Sequence, residues 1–74
     1  MDKKQLGAFI AENRRRQHMT QQQLAQMLYI TDKAVSKWER GLSYPDVTLL
    51  EPLATALGMT TAALIRCDSP AEEK

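Results

Sequence analysis

Four times in this chain a polar residue suited to cap a helix sits between two apolar residues at a fixed spacing. One apolar residue directly precedes the cap and the other falls at the fourth helical position. The pairs are Met19 and Leu24 about Thr20, Ile30 and Val35 about Thr31, Pro45 and Leu50 about Asp46, and Met59 and Leu64 about Thr60. Such a pair forms a hydrophobic staple, which fixes the angle at which the chain enters a helix. Four helix starts so closely spaced leave room only for short helices. They also turn an apolar residue inward at each junction, so the chain must close around one core.

The remaining signals give five helices. Helix 1 runs over about residues 3–17, with Leu6 and Ile10 on one face and Phe9 beside them. Helix 2 follows Thr20. The run Thr20-Gln21-Gln22-Gln23 is a capping box, in which the threonine oxygen accepts from the Gln23 amide and the Gln23 side chain reaches back. This helix carries Leu24, Met27 and Leu28 as its apolar residues and stops near Tyr29. Helix 3 starts after Thr31 and ends at Gly41, a residue that takes the left-handed conformation without steric penalty. Helix 4 starts after Asp46 and ends at Gly58, and helix 5 runs from after Thr60 to near Arg66. No period-two run persists, so no strand is expected.

Two positions strain this reading. Pro52 lies about six residues into helix 4, where its ring opposes the carbonyl four residues back and its nitrogen cannot donate. The expectation is a 3₁₀ or irregular first turn, or a kink. Tyr29 stands where the chain reverses after helix 2 and must adopt a positive φ, at a cost of ~1–2 kcal/mol.

At 74 residues and 8.4 kDa, one domain is the limit, and ~60% of the unfolded surface can be buried. Residues 1–67 are expected to form that domain. The polar, proline-broken stretch 68–74 reads as a flexible tail or the start of a linker. With 43% hydrophobic and 26% charged residues, the chain fits neither a disordered nor a collagen-like class. Cys67 is the sole cysteine, so no internal disulfide or cysteine metal site forms; it reads as a small residue at a helix end, with an intermolecular disulfide or a redox sensor as the alternative. His18, also alone, reads as a surface turn residue. No apolar run spans a bilayer or resembles a secretory segment, so no membrane role and a cytoplasmic location are expected. There is no nucleophile–base pair, no glycine-rich phosphate loop and no metal-ligand spacing. The adjacent acids Glu72 and Glu73 fall in the tail. No catalytic residue, metal or cofactor is assigned, and an enzyme is not expected.

Charge is uneven. Residues 1–44 hold eight lysines and arginines against four acids, a net +4, whereas residues 45–74 hold two against five, a net −3. One basic half suits a polyanionic partner. The link between helices 2 and 3 is only three or four residues long, which forces the steep crossing of a helix-turn-helix. Around helix 3, at about 100° per residue from Asp32, Ser36, Arg40, Lys33 and Lys37 fall within about 40–140°. Ala34, Trp38 and Val35 fall at about 200–300°. The apolar arc faces the core, Trp38 included. The opposite arc suits a major groove: lysine donates to guanine O6 and N7, serine donates or accepts, and aspartate accepts from cytosine N4. A plain solvated face has the same composition, so on these grounds alone both readings stand.

The runs Gln21-Gln22-Gln23-Leu24-Ala25-Gln26, Thr31, Val35-Ser36-Lys37-Trp38-Glu39-Arg40-Gly41, Pro45-Asp46, Leu50-Glu51-Pro52-Leu53-Ala54 and Leu57-Gly58-Met59 carry a resemblance. Together they resemble the lambda-repressor-like helix-turn-helix family, and within it the bacterial xenobiotic-response-element (XRE) type of transcriptional regulator, over roughly residues 5–66. The resemblance implies an all-α, compact five-helix bundle in which helices 2 and 3 form the helix-turn-helix. It implies that Asp32, Lys33, Ser36 and Lys37 meet base edges, and that Gln21, Thr31, Arg40, Ser43 and Tyr44 grip the DNA backbone. It implies an ion pair between Arg14 and Glu39 that ties helix 3 to helix 1. Bland roles stand beside these: Gln21 as part of the capping box, and Asp32 as an acid complementing the helix dipole. The partner implied is double-stranded DNA at a palindromic operator, bound by a homodimer. The alternative is a protein-interaction module of the same fold, such as an antitoxin or a regulator's partner. Leu64, Ile65 and Cys67 are candidates for a dimer surface, with Leu64 better suited to the core.

Overall fold

Four of the helices begin on a side-chain oxygen. Asp2, Thr20, Thr31 and Thr60 each accept from the backbone N–H three residues on, at Gln5 (2.7 Å), Gln23 (3.0 Å), Ala34 (3.3 Å) and Ala63 (3.1 Å). Each supplies a partner to an amide that the helix itself cannot satisfy. The box at Thr20 is complete, because Gln23 Oε1 accepts from the Thr20 N–H at 2.9 Å. The computed structural model describes residues 2–67, and the stretch 68–74, with Glu72 and Glu73, lies outside them. The elements are α1 (Lys3–Arg16), α2 (Gln21–Met27), α3 (Asp32–Glu39), a 3₁₀ turn (Val47–Leu49), α4 (Leu50–Ala56) and α5 (Thr61–Arg66). No strand occurs among the described residues.

The helix ends obey one rule. After each of α1 to α5 the chain turns on a residue of positive φ: His18 (60°), Tyr29 (59°), Gly41 (75°), Gly58 (77°) and Cys67 (57°). Behind the first four, two backbone bonds close the turn. The residue after the left-handed one donates to a carbonyl five back, as in Met19 to Arg14, Ile30 to Ala25, Leu42 to Lys37 and Met59 to Ala54. These are Schellman motifs. In three links the next two residues are apolar and then threonine: Met19-Thr20, Ile30-Thr31 and Met59-Thr60. One apolar side chain therefore serves the end of one helix and the staple of the next. Met19, Ile30 and Met59 all pack against the core.

That core consists of Leu6, Phe9, Ile10, Leu24, Ala25, Leu28, Val35, Trp38, Leu53, Ala54, Leu57 and Leu64. Every helix contributes, α5 through Leu64. One feature of α1 lets α3 approach closely. At Gly7, an added Cβ would lie 2.1 Å from the Trp38 carbonyl oxygen. Asn13, also buried, turns its amide back to the Phe9 carbonyl at 2.9 Å.

Two details depart from the sequence reading. Met27 is 53% exposed and does not join Leu24 and Leu28 in the core. It is the last residue of α2, on the turn where the chain swings away toward α3. Asp46 makes no side-chain cap bond, although the chain after it opens with the 3₁₀ turn that Pro52 leads one to expect. The expected cause is present: an α-helix from residue 47 would set the Pro52 ring against the Thr48 carbonyl. Starting α4 at Leu50 puts Pro52 in the first turn, where no N–H is needed. No helix among the described residues is long and apolar enough to cross a membrane.

Candidate nucleic-acid interface

The outward arc of α3 is set by what its inner arc buries. Val35 and Trp38 are buried, and Ala34 packs partly against the core. The geometry of an α-helix then sends Asp32, Lys33, Ser36 and Lys37 to the other side. Asp32, Lys33, Lys37 and Arg40 are exposed, and Ser36 is half-buried. Arg40 folds back along the helix, its Nε donating to the Ser36 hydroxyl at 3.1 Å and the Ser36 carbonyl at 3.3 Å. Thr31, exposed, caps the helix. Asp32 stands in the first turn, where an acid complements the helix dipole.

The far end of α3 is clamped. The Glu39 carboxylate receives Arg14 in a two-pronged pair: Nε to Oε2 at 2.7 Å and Nη2 to Oε1 at 3.1 Å. Arg14 Nη1 donates to the Met19 carbonyl at 2.8 Å. Gln21 Nε2 donates to Glu39 Oε1 at 2.9 Å. One carboxylate therefore ties together α1, the first residue of α2 and the last residue of α3. The Arg14 and Glu39 side chains are only 12% and 6% exposed, so these bonds meet little competition from water. The second amide hydrogen of Gln21 is not used by this clamp.

The connection after α3 carries Ser43, half-buried, and Tyr44, about half exposed. Arg15 and Arg16 extend from the last turn of α1 into solvent, Arg16 within 3.4 Å of Glu12. Among the described residues, no group of three or more histidines, cysteines and acids gathers in a form that could hold a metal ion.

Sequence reasoning missed Gly7, although an isolated glycine inside a helical pattern usually has a packing reason. It also missed Gln17, whose amide donates to the Leu57 carbonyl at 3.2 Å and joins α1 to the end of α4. No local pattern relates positions so far apart.

Comparison with known proteins follows the same lines. A helix-turn-helix family model matches residues 10–64. Over 48 residues the chain is 38% identical to the HTH-type transcriptional activator BcrR of Enterococcus faecalis. That match takes in 65% of this chain and 24% of BcrR, so the chain spans about a quarter of that relative's length. The fold is similar to the DNA-binding domain of the P22 C2 repressor, with a TM-score of 0.84 and 26% identity over 99% of this chain and 96% of that one. It is also similar to the clp gene regulator ClgR from Corynebacterium glutamicum, with a TM-score of 0.80 and 26% identity over 88% and 69%. A hydroxypropylphosphonic acid epoxidase from S. wedmorenis contains a similar unit, with a TM-score of 0.76 and 26% identity, in 34% of its chain.

Proposed function

The chain belongs to the helix-turn-helix family, and from that premise we propose that it is a sequence-specific DNA-binding transcriptional regulator. One observation carries the reading. The cations of α3 lie on a single outward arc, on a helix whose rotation is fixed by Trp38 below it and the Glu39 clamp at its end. In this reading α3 enters the major groove. Asp32, Lys33, Ser36 and Lys37 meet base edges, and Gln21, Thr31, Arg40, Ser43 and Tyr44 hold phosphates. Gln21 suits both of its tasks, because its amide carries two hydrogens and the bond to Glu39 takes only one. Family membership points to a regulator, not a catalyst. The DNA-bound form is a homodimer on a palindromic operator, with half-sites about 10 base pairs apart, acting in a bacterial cytoplasm. An activator and a repressor both share this type of domain, so the proposal concerns DNA reading and leaves the sign of regulation open.

Selection of bound duplexes from a random pool, at fixed salt, tests the proposal. The expected result is one enriched motif arranged as an inverted repeat. No enrichment above background rejects DNA reading and favours the protein-interaction module.

A further inference from the structure

The polar groups on the outward arc of α3 differ in what they can exchange with a base edge. Lys33 and Lys37 only donate, and an ionised Asp32 only accepts. Ser36 lies between them, and a serine hydroxyl does either, with one proton and two lone pairs. A group that can turn round takes whichever partner it meets, so a lone serine discriminates little between bases.

Ser36 is not alone. Arg40, at the end of α3, lies one helical turn on, and its Nε–H is shared between the Ser36 hydroxyl oxygen at 3.1 Å and the Ser36 carbonyl at 3.3 Å. Shared bonds of this kind are common at helix ends. A guanidinium has no acceptor and is never deprotonated in a protein, so toward Arg40 the hydroxyl can only accept. One lone pair is thereby occupied from the cationic side. The hydroxyl's own proton goes to no acceptor among the described residues. Accepting from a cation polarises the O–H bond and strengthens it as a donor. The same positive charge disfavours an amino group, whose hydrogens are themselves positive, at this hydroxyl. Both bonds use Nε alone, so the charge of Arg40 still serves the phosphate contact proposed above.

We propose that Arg40 is a positioning residue that commits Ser36 to donate, so that Ser36 reads an acceptor atom in the major groove (a purine N7, guanine O6 or thymine O4) and rejects the amino group of cytosine or adenine. This rests on the DNA reading above and deepens it. With Lys33 and Lys37, Ser36 makes the middle of the arc a donor surface, and Asp32 is the acceptor at its start.

The test begins with duplexes selected by the parent and by Ser36→Ala. The base position whose preference flattens in Ser36→Ala is the one Ser36 reads. At that position, duplexes are made that lack one acceptor (a deaza purine without N7, or a base without its O6 or O4 carbonyl) or lack the amino group (pyrimidinone for cytosine, unsubstituted purine for adenine). Loss of one of these acceptors is expected to weaken the parent ~2–10-fold more than Ser36→Ala, the worth of one hydrogen bond. Loss of the amino group weakens both proteins equally. Arg40→Met binds every duplex more weakly through its lost charge, but flattens only the Ser36 position, and it flattens nothing further in the Ser36→Ala background. Circular dichroism verifies that each variant is folded, and Arg40→Ala stands in if Arg40→Met is not. The proposal is overturned if Ser36→Ala flattens no position, if loss of the amino group weakens the parent alone, or if Arg40→Met keeps the parent's preference at the Ser36 position. Each of those results leaves the DNA reading standing, whereas a parent that enriches no motif overturns both.

Discussion

Arg14 grips Glu39 with two nitrogens, at 2.7 and 3.1 Å, across 25 positions of sequence. This contact fixes the end of α3 against α1, and through Gln21 it fixes α2 as well. The orientation of the helix-turn-helix therefore depends on a charge pair that is almost withdrawn from water.

Removing one partner leaves the other's charge uncompensated. Arg14→Met is expected to lower stability by ~3 kcal/mol, read from urea denaturation. Replacing both, as Arg14→Met with Glu39→Met, removes both charges together and is expected to be milder than Arg14→Met alone. Equal or larger loss in the double variant would show that packing, not charge, dominates at this position.

Tyr29 holds a φ of 59° with its side chain 94% exposed, so the strain returns almost no burial. Tyr29→Gly removes a left-handed penalty of ~1–2 kcal/mol and adds unfolded-state entropy worth ~0.4–1 kcal/mol. The net expectation is a gain of ~0.5–1 kcal/mol, seen as a higher Tm. Tyr29→Val should lower Tm, because a β-branched residue tolerates this conformation worst.

Gly7→Ala makes the opposite case. Alanine is favoured over glycine inside a helix by ~1 kcal/mol. Here its Cβ would lie 2.1 Å from the Trp38 carbonyl oxygen, so α1 and α3 must separate. Overpacking of this kind costs ~1–3 kcal/mol, and the forced shift is expected to exceed the helical gain. Denaturation should show net destabilisation, and DNA affinity should fall because α3 moves.

On DNA, the two kinds of cation should separate. Lys37→Ala is expected to relax preference at one base position by ~1–3 kcal/mol. Arg40→Ala is expected to weaken binding to all sequences and to reduce the slope of log K against log salt by about one. Titrations at several salt concentrations against the selected site and a scrambled one distinguish these outcomes.

Most helix boundaries were legible because they are local. A threonine cap, its staple and a left-handed turn fall within a few residues, and three links repeat that arrangement. Pro52 likewise announced the irregular start of α4, since its ring acts only on the preceding turn. Gly7 and Met27 were not legible, because their roles depend on where a neighbouring helix passes. The outward arc of α3 follows from period alone. The assignment of bases and phosphates to particular side chains does not, and it came from the family resemblance. The Arg14–Glu39 pair came from there too, since no spacing rule connects residues so far apart.

The central claim is that the outward arc of α3 is the surface that meets DNA. Amide and side-chain NMR shifts of the labelled protein, titrated with the selected duplex, test it most directly. The largest changes are expected at residues 31–40, with smaller ones at Gln21, Ser43 and Tyr44. Changes confined to α1, α4 or α5, with Lys33, Ser36 and Lys37 unmoved at saturation, would contradict it.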